Sequence, residues 1–136
     1  RVSAFSRQVL PEGQGSDVAA LVVEYDSGPI GVISNSSIGA WVASFAVHGT
    51  GGSAWSEDDG ARFFHQPMGE SSRSEELVEP VDALVDQLAD FVACVREGRR
   101  PETDGTAGLE VVAVLQAAAL SVERGAAVDV AEVRDA

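Results

Sequence analysis

Between Glu75 and Arg124 the sequence writes two apolar helices, and the rest of the chain must give them something to lie on. Leu77, Val81, Leu84, Leu88, Phe91 and Val95 recur at helical steps and form one stripe. Val78, Val85 and Val92 widen it, while Glu79, Asp82, Asp86, Asp90 and Glu97 fall on the opposite side. Pro80 suits a first turn, where its missing N–H costs nothing, and Gly98 suits the stop. Large apolar side chains gain about 1.5–3 kcal/mol each on burial, more than propensity supplies to a lone helix. This stripe therefore needs a partner surface.

The second helix follows the polar stretch from Arg99 to Gly105. Asp104 or Thr106 can cap it, and Gly125 ends it, with Arg124 near the negative end of the dipole. From Leu109 to Val122 it is apolar on nearly every side, which predicts a core helix sandwiched between layers. Ala113, Ala117, Ala118 and Ala119 allow neighbouring backbones to come close.

Ahead of the helices the chain reads as strands. Val2–Val9 leads to a Gly-rich turn over Pro11–Ser16, and Asp17–Tyr25 pairs with the stretch from Ile30 to Ser34 across Asp26-Ser27-Gly28-Pro29. Trp41–His48, Ser53–Ser56 and Ala61–Gln66 give three more strands, and Val128, Val130 and Val133 predict a final short one. Pro67–Ser74 reads as a polar loop into the first helix. Strands first, then helices, is the α+β pattern: a predominantly antiparallel (mixed) open sheet with two long helices packed on one face. The central strands are apolar on both faces, as Trp41, Ala43 and Phe45 alternating with Val42 and Ala46 illustrate. The face that the helices leave open is therefore expected to meet another domain or a second copy, making a homo-oligomer.

Composition narrows the function classes. At 136 residues the chain has the size of one domain, residues 1–136, able to bury a core without disulfides. A net charge of −13 argues against nucleic acid and anionic membranes as partners. Neither a signal-peptide pattern nor an apolar span of about 20 residues is present, and Cys94 stands alone, so the cytoplasm is the expected location. A start at Arg1 rather than methionine points to a piece of a longer chain.

The short motifs are weak. Gly49-Thr50-Gly51-Gly52-Ser53 has the glycines of a phosphate loop but lacks its lysine and leads to a strand, so a hairpin turn fits better. Glu57-Asp58-Asp59-Gly60 lacks calcium-loop spacing and reads as a solvated turn. His48 and His65 have no ligands at metal spacing, so no metal is expected. His65 and Arg62 on one short strand, with Trp55 on the preceding one, are the candidates for a pocket that takes a polar ligand. No nucleophile elbow, histidine-paired cysteine or dinucleotide fingerprint occurs, so no catalytic or cofactor-binding residue is assigned.

Taken together, several stretches resemble one family. Val2-Ser3-Ala4, the strand from Asp17 into Tyr25-Asp26-Ser27-Gly28, and Gly31–Ser36 are similar to the start of the C-terminal domain of Gfo/Idh/MocA-type oxidoreductases. Val47–Ser53 resembles that family's strand and glycine turn. Leu88-Ala89-Asp90-Phe91-Val92, Glu97-Gly98-Arg99-Arg100-Pro101, Thr103-Asp104-Gly105, Gly108-Leu109, Gln116-Ala117-Ala118, Ser121, Gly125 and Val128 follow in the family's order. The resemblance implies a glyceraldehyde-3-phosphate-dehydrogenase-like C-terminal fold that binds a small-molecule substrate and oligomerises. It also implies NAD or NADP, bound mainly by a separate N-terminal Rossmann domain that this sequence does not include, and hydride transfer on a sugar or cyclitol. The family's glycine fingerprint, its lysine and its acid/base histidine match no position here, so none is carried over. The competing expectation is a stand-alone, non-catalytic binding or dimerisation module.

Overall fold

The computed structural model describes residues 1–12 and 15–135. Gly13 and Gln14, inside the expected Gly-rich turn, lie outside the described residues. Strands β1 (Val2–Arg7), β2 (Val18–Glu24) and β3 (Ile30–Ser36) form one antiparallel sheet in that order. Strands β4 (Phe45–Gly49), β5 (Gly52–Glu57), β6 (Arg62–Pro67) and β7 (Ser74–Glu76) form a second. The helices are α1 (Ala83–Glu97), α2 (Gly105–Arg124) and a short α3 (Val130–Arg134). This is the expected α+β class with two long helices; the broad platform read from the sequence resolves into two sheets. Residues 1–39 with 99–136 make one compact unit, and residues 40–98 make the other.

In the first unit the core lies between β1–β2 and α2. The register Val2↔Val23 and Ala4↔Leu21 puts these side chains on one face of the sheet. Against it α2 sets Ala113, Ala117, Ala118 and Ser121, residues small enough for the helix backbone to sit low on the strands. Val128 joins them, and Val2, Ala117 and Val128 are fully buried or nearly so. The expectation that α2 is covered all round fails within this unit. Its alanine face is buried, whereas Leu109, Val111, Val112 and Leu115 are exposed, because the unit supplies a single layer to pack on.

Edge strand β1 is sealed rather than left open. Val2 and Val128 exchange backbone hydrogen bonds of 2.8 and 2.9 Å, and the Ala4 N–H donates to Ser121 Oγ at 2.9 Å. A buried amide that loses its acceptor costs more than the hydrogen bond returned. Ser121→Ala is expected to lower stability by about 1–2 kcal/mol in urea unfolding; a loss under about 0.5 kcal/mol would remove Ser121 from this role.

Three boundaries differ from the sequence reading. The first helix begins at Ala83, not near Glu75, because the Asp82 carboxylate accepts the Leu84 and Val85 N–H groups and fixes the cap there. Pro80 thus precedes the helix, and Glu75 and Glu76 instead extend β7, paired with Phe64 and Phe63. The expected last strand is helical: Val128 makes only an isolated bridge, and the Asp129 side chain caps α3 by accepting the Ala131 N–H at 2.9 Å. Trp41–Ser44 lies outside the strand expected over Trp41–His48, which begins at Phe45. By contrast α2 has the predicted ends, capped by Asp104 and stopped by Gly125 in the left-handed region. The hydrogen bond from the Ala107 N–H, with Arg100 nearby, holds the Asp104 carboxyl below its ordinary pKa.

Candidate functional site

In the second unit the β5–β6 register decides which side chains meet. Trp55 pairs with Phe64, Glu57 with Arg62, and Ser53 with both Gln66 and His48. Directly opposed residues share a face, so these side chains line one side of the sheet. His65 pairs with Ala54 and falls on the other side, where its Nδ1 lies 3.2 Å from Glu76 Oε1. Of the three residues singled out from the sequence, Arg62 and Trp55 are brought together and His65 is not.

The shared face is an aromatic floor overlaid by cations. Phe64, only 5% exposed, is its centre. The Arg62 guanidinium carbon lies 4.7 Å from its ring centroid and that of Arg73 lies 3.9 Å away, with Arg73 also 5.9 Å from the Trp55 ring. Arg62 is held from outside by a bidentate pair with Glu75 at 2.8 and 3.1 Å. That mutual hydrogen bond, foremost among the causes, raises the Arg62 pKa and lowers that of Glu75. Arg73 donates through one nitrogen to Glu57 at 2.6 Å. At the far end the His48 ring meets Trp55 edge to face at 5.8 Å, and its Nδ1 lies 2.9 Å from Ser53 Oγ.

Sequence reasoning missed Phe64, Arg73, His48, Glu57 and Glu75 as parts of this face. The alternation Arg62, Phe64, Gln66 along β6 carried a signal for Phe64. Arg73 carried none, because it comes from the segment between β6 and β7 that read as a polar lead-in to the helix. Chemically, the indole of Trp55 suits the C–H face of a polyol, while guanidinium and carboxylate edges suit its hydroxyls. His48 and Ser53 touch, but no carboxylate among the described residues orients the imidazole, so the pair is not an activated nucleophile.

A dinucleotide pyrophosphate does not fit the described residues. Gly49–Ser53 folds as the tight hairpin joining β4 and β5, with Gly49 opposite Gly52, and no helix follows it. At the start of α2 the Asp104 carboxylate already accepts the Thr106 and Ala107 N–H groups and sets a negative charge where phosphate would lie. The larger cavity of the first unit, about 410 Å³ beside α2, is floored by Leu21, Leu115 and Ala118. Its buried Asp17 carboxylate is engaged by the Val9 and Leu10 N–H groups, both at 2.7 Å.

The fold coincides with a family match. Residues 1–130 match the family model GFO_IDH_MocA_C, described as "Oxidoreductase family, C-terminal alpha/beta domain". This chain belongs to that family. Solved structures similar to this Gfo/Idh/MocA C-terminal domain include an oxidoreductase from Desulfitobacterium hafniense, at 20% identity and a TM-score of 0.86 over 98% of this chain and 42% of that one. Another is an oxidoreductase from Agrobacterium radiobacter in complex with NAD+, L-tartaric acid and magnesium, at 17% identity and a TM-score of 0.81 over 96% and 43%. A third is a levoglucosan dehydrogenase in complex with NADH and L-sorbose, at 18% identity and a TM-score of 0.78 over 95% and 44%. The chain thus spans less than half the length of each of these proteins. No curated protein matches it.

Proposed function

We propose that this domain binds substrate and joins subunits within an NAD(P)-dependent oxidoreductase that moves a hydride to or from a sugar, cyclitol or related hydroxy compound. The observation that carries this reading is the cation-covered aromatic face around Phe64, inside a domain of an oxidoreductase family. The nicotinamide, bound by an N-terminal Rossmann domain of the parent protein, supplies the redox chemistry. Residues of this chain orient the substrate: Trp55 takes its C–H face, and the Arg73 and Glu57 edges take its hydroxyls. Holding the reacting carbon in place is itself a large part of the rate gain.

Assembly uses the open face of the first sheet. Phe5, Ile30 and Val32 stand there 69%, 67% and 74% exposed, on the side opposite α2. An antiparallel sheet whose outer face meets water is normally polar on that face. A single cysteine, Cys94, which leaves no internal disulfide to form, suits a reducing cytoplasm.

Cofactor binding by the parent protein, compared with that by this 136-residue chain, tests the division of roles. Tight NAD(P) binding is expected of the parent and not of the chain alone. Tight binding by the isolated chain would overturn the proposal, as would a parent that binds neither cofactor.

A further inference from the structure

We propose that Arg73 makes the β5–β6 face selective for polyhydroxy carboxylates over neutral polyols, an inference that rests on the substrate-binding reading above. The two arginines of this face are not equivalent. Arg62 spends two of its five donors in a bidentate pair with both oxygens of Glu75. Arg73 commits a single nitrogen, Nη1, to one oxygen of Glu57. A guanidinium carries five N–H donors, and the placement of Arg73 Cζ 3.9 Å from the Phe64 ring centroid is a cation–π contact that uses up no carboxylate or carbonyl acceptor. Its remaining donors, on a group 5.9 Å from the Trp55 ring, have no other partner among the described residues.

A ligand that stacks its carbon chain on Trp55 meets these donors. A hydroxyl there gains an ordinary hydrogen bond. A carboxylate gains a charge-assisted one, about twice as strong. The location sharpens the contrast. The chain carries a net charge of −13, so an anion is disfavoured over most of its surface and needs a fixed cation with donors to spare. Arg73 is that cation; its side chain is 42% exposed, accessible to solute yet anchored at both ring and carboxylate.

D-gluconate and D-glucitol, which differ in having a carboxylate or a CH2OH at one end, are the matched probes. Binding to the intact chain is followed at low ionic strength by chemical-shift changes of the Trp55 indole N–H. Gluconate is expected to bind about fivefold more tightly than glucitol. Arg73→Gln should bring the two within about twofold of each other while glucitol binding persists, and Arg73→Lys should restore part of the preference. Because Arg73→Gln also frees the Glu57 carboxylate to repel an anion, the double variant Glu57→Gln/Arg73→Gln is the control. It too should show no preference.

Equal binding of both probes to the wild type would overturn the role of Arg73 and leave the substrate-binding face standing. So would a preference that survives Arg73→Gln, or one that returns in the double variant. Binding of neither probe would overturn both the inference and the placement of substrate on this face.

Discussion

Gly52→Ala is expected to cost about 3 kcal/mol or more and to disorder the β4–β5 hairpin. Two effects add. Gly52 has φ +143°, a backbone conformation open almost only to glycine. Independently, a Cβ built there falls well inside contact distance of the Gln66 carbonyl oxygen and 3.0 Å from the Pro67 Cα. Both obstacles are backbone of the neighbouring strand β6, so no side chain can swing aside to relieve them. The register Gly52↔Pro67 would have to give way, and with it the pairing that aligns Trp55 with Phe64. Urea unfolding followed by Trp55 fluorescence in a Trp41→Phe background measures the loss. A cost below about 1 kcal/mol would mean that β5 and β6 do not approach in this register.

Ala117→Leu should be the most damaging single change in the first unit, costing about 3 kcal/mol. Ala117 has no exposed surface and packs among Val2, Val23 and Val128. Leucine adds three heavy atoms where the helix backbone already lies against β1, so α2 must lift off the sheet. Lifting would also stretch the bond from the Ala4 N–H to Ser121 Oγ, one turn further along the same helix face. The coupling makes a second prediction of the same measurement: with Ala117→Leu present, the added cost of Ser121→Ala should shrink. Thermal and urea unfolding of the single and double variants provide the test. Full additivity, or an Ala117→Leu protein as stable as wild type, would contradict the close α2–β1 packing.

The legibility of this molecule follows the range of the forces involved. Features fixed within a few residues were readable. Asp104 and Gly125 bound α2 because a cap needs only a carboxylate and its next three amides, and a stop needs only a left-handed residue. The Gly49–Ser53 hairpin and the acidic turn at Asp58-Asp59 were readable for the same reason. Misreadings came where one local signal competed with another or with a distant partner. Leu77 and Val81 continue the stripe of α1 backwards, but the cap at Asp82 stops the helix, and pairing with β6 draws Glu75 and Glu76 into a strand. At the other end, valine content favoured a strand over Val128–Val133, and the cap at Asp129 turned most of it into α3.

By itself, then, the amino-acid order determined the α+β class, the two long helices, the tight hairpins and the family, since periodicity, caps and turn residues act over short spans. It did not determine the candidate site. Arg62 and His65, three apart on β6, fall on opposite faces in any register; which of them shares a face with Trp55 depends on cross-strand pairing, and a one-residue shift would bring His65 there in place of Arg62. The arrival of Arg73 over Phe64 likewise depends on the path of a segment with no periodicity of its own. Those placements are set by cross-strand pairing between residues distant in the chain, and only the tertiary structure decided them.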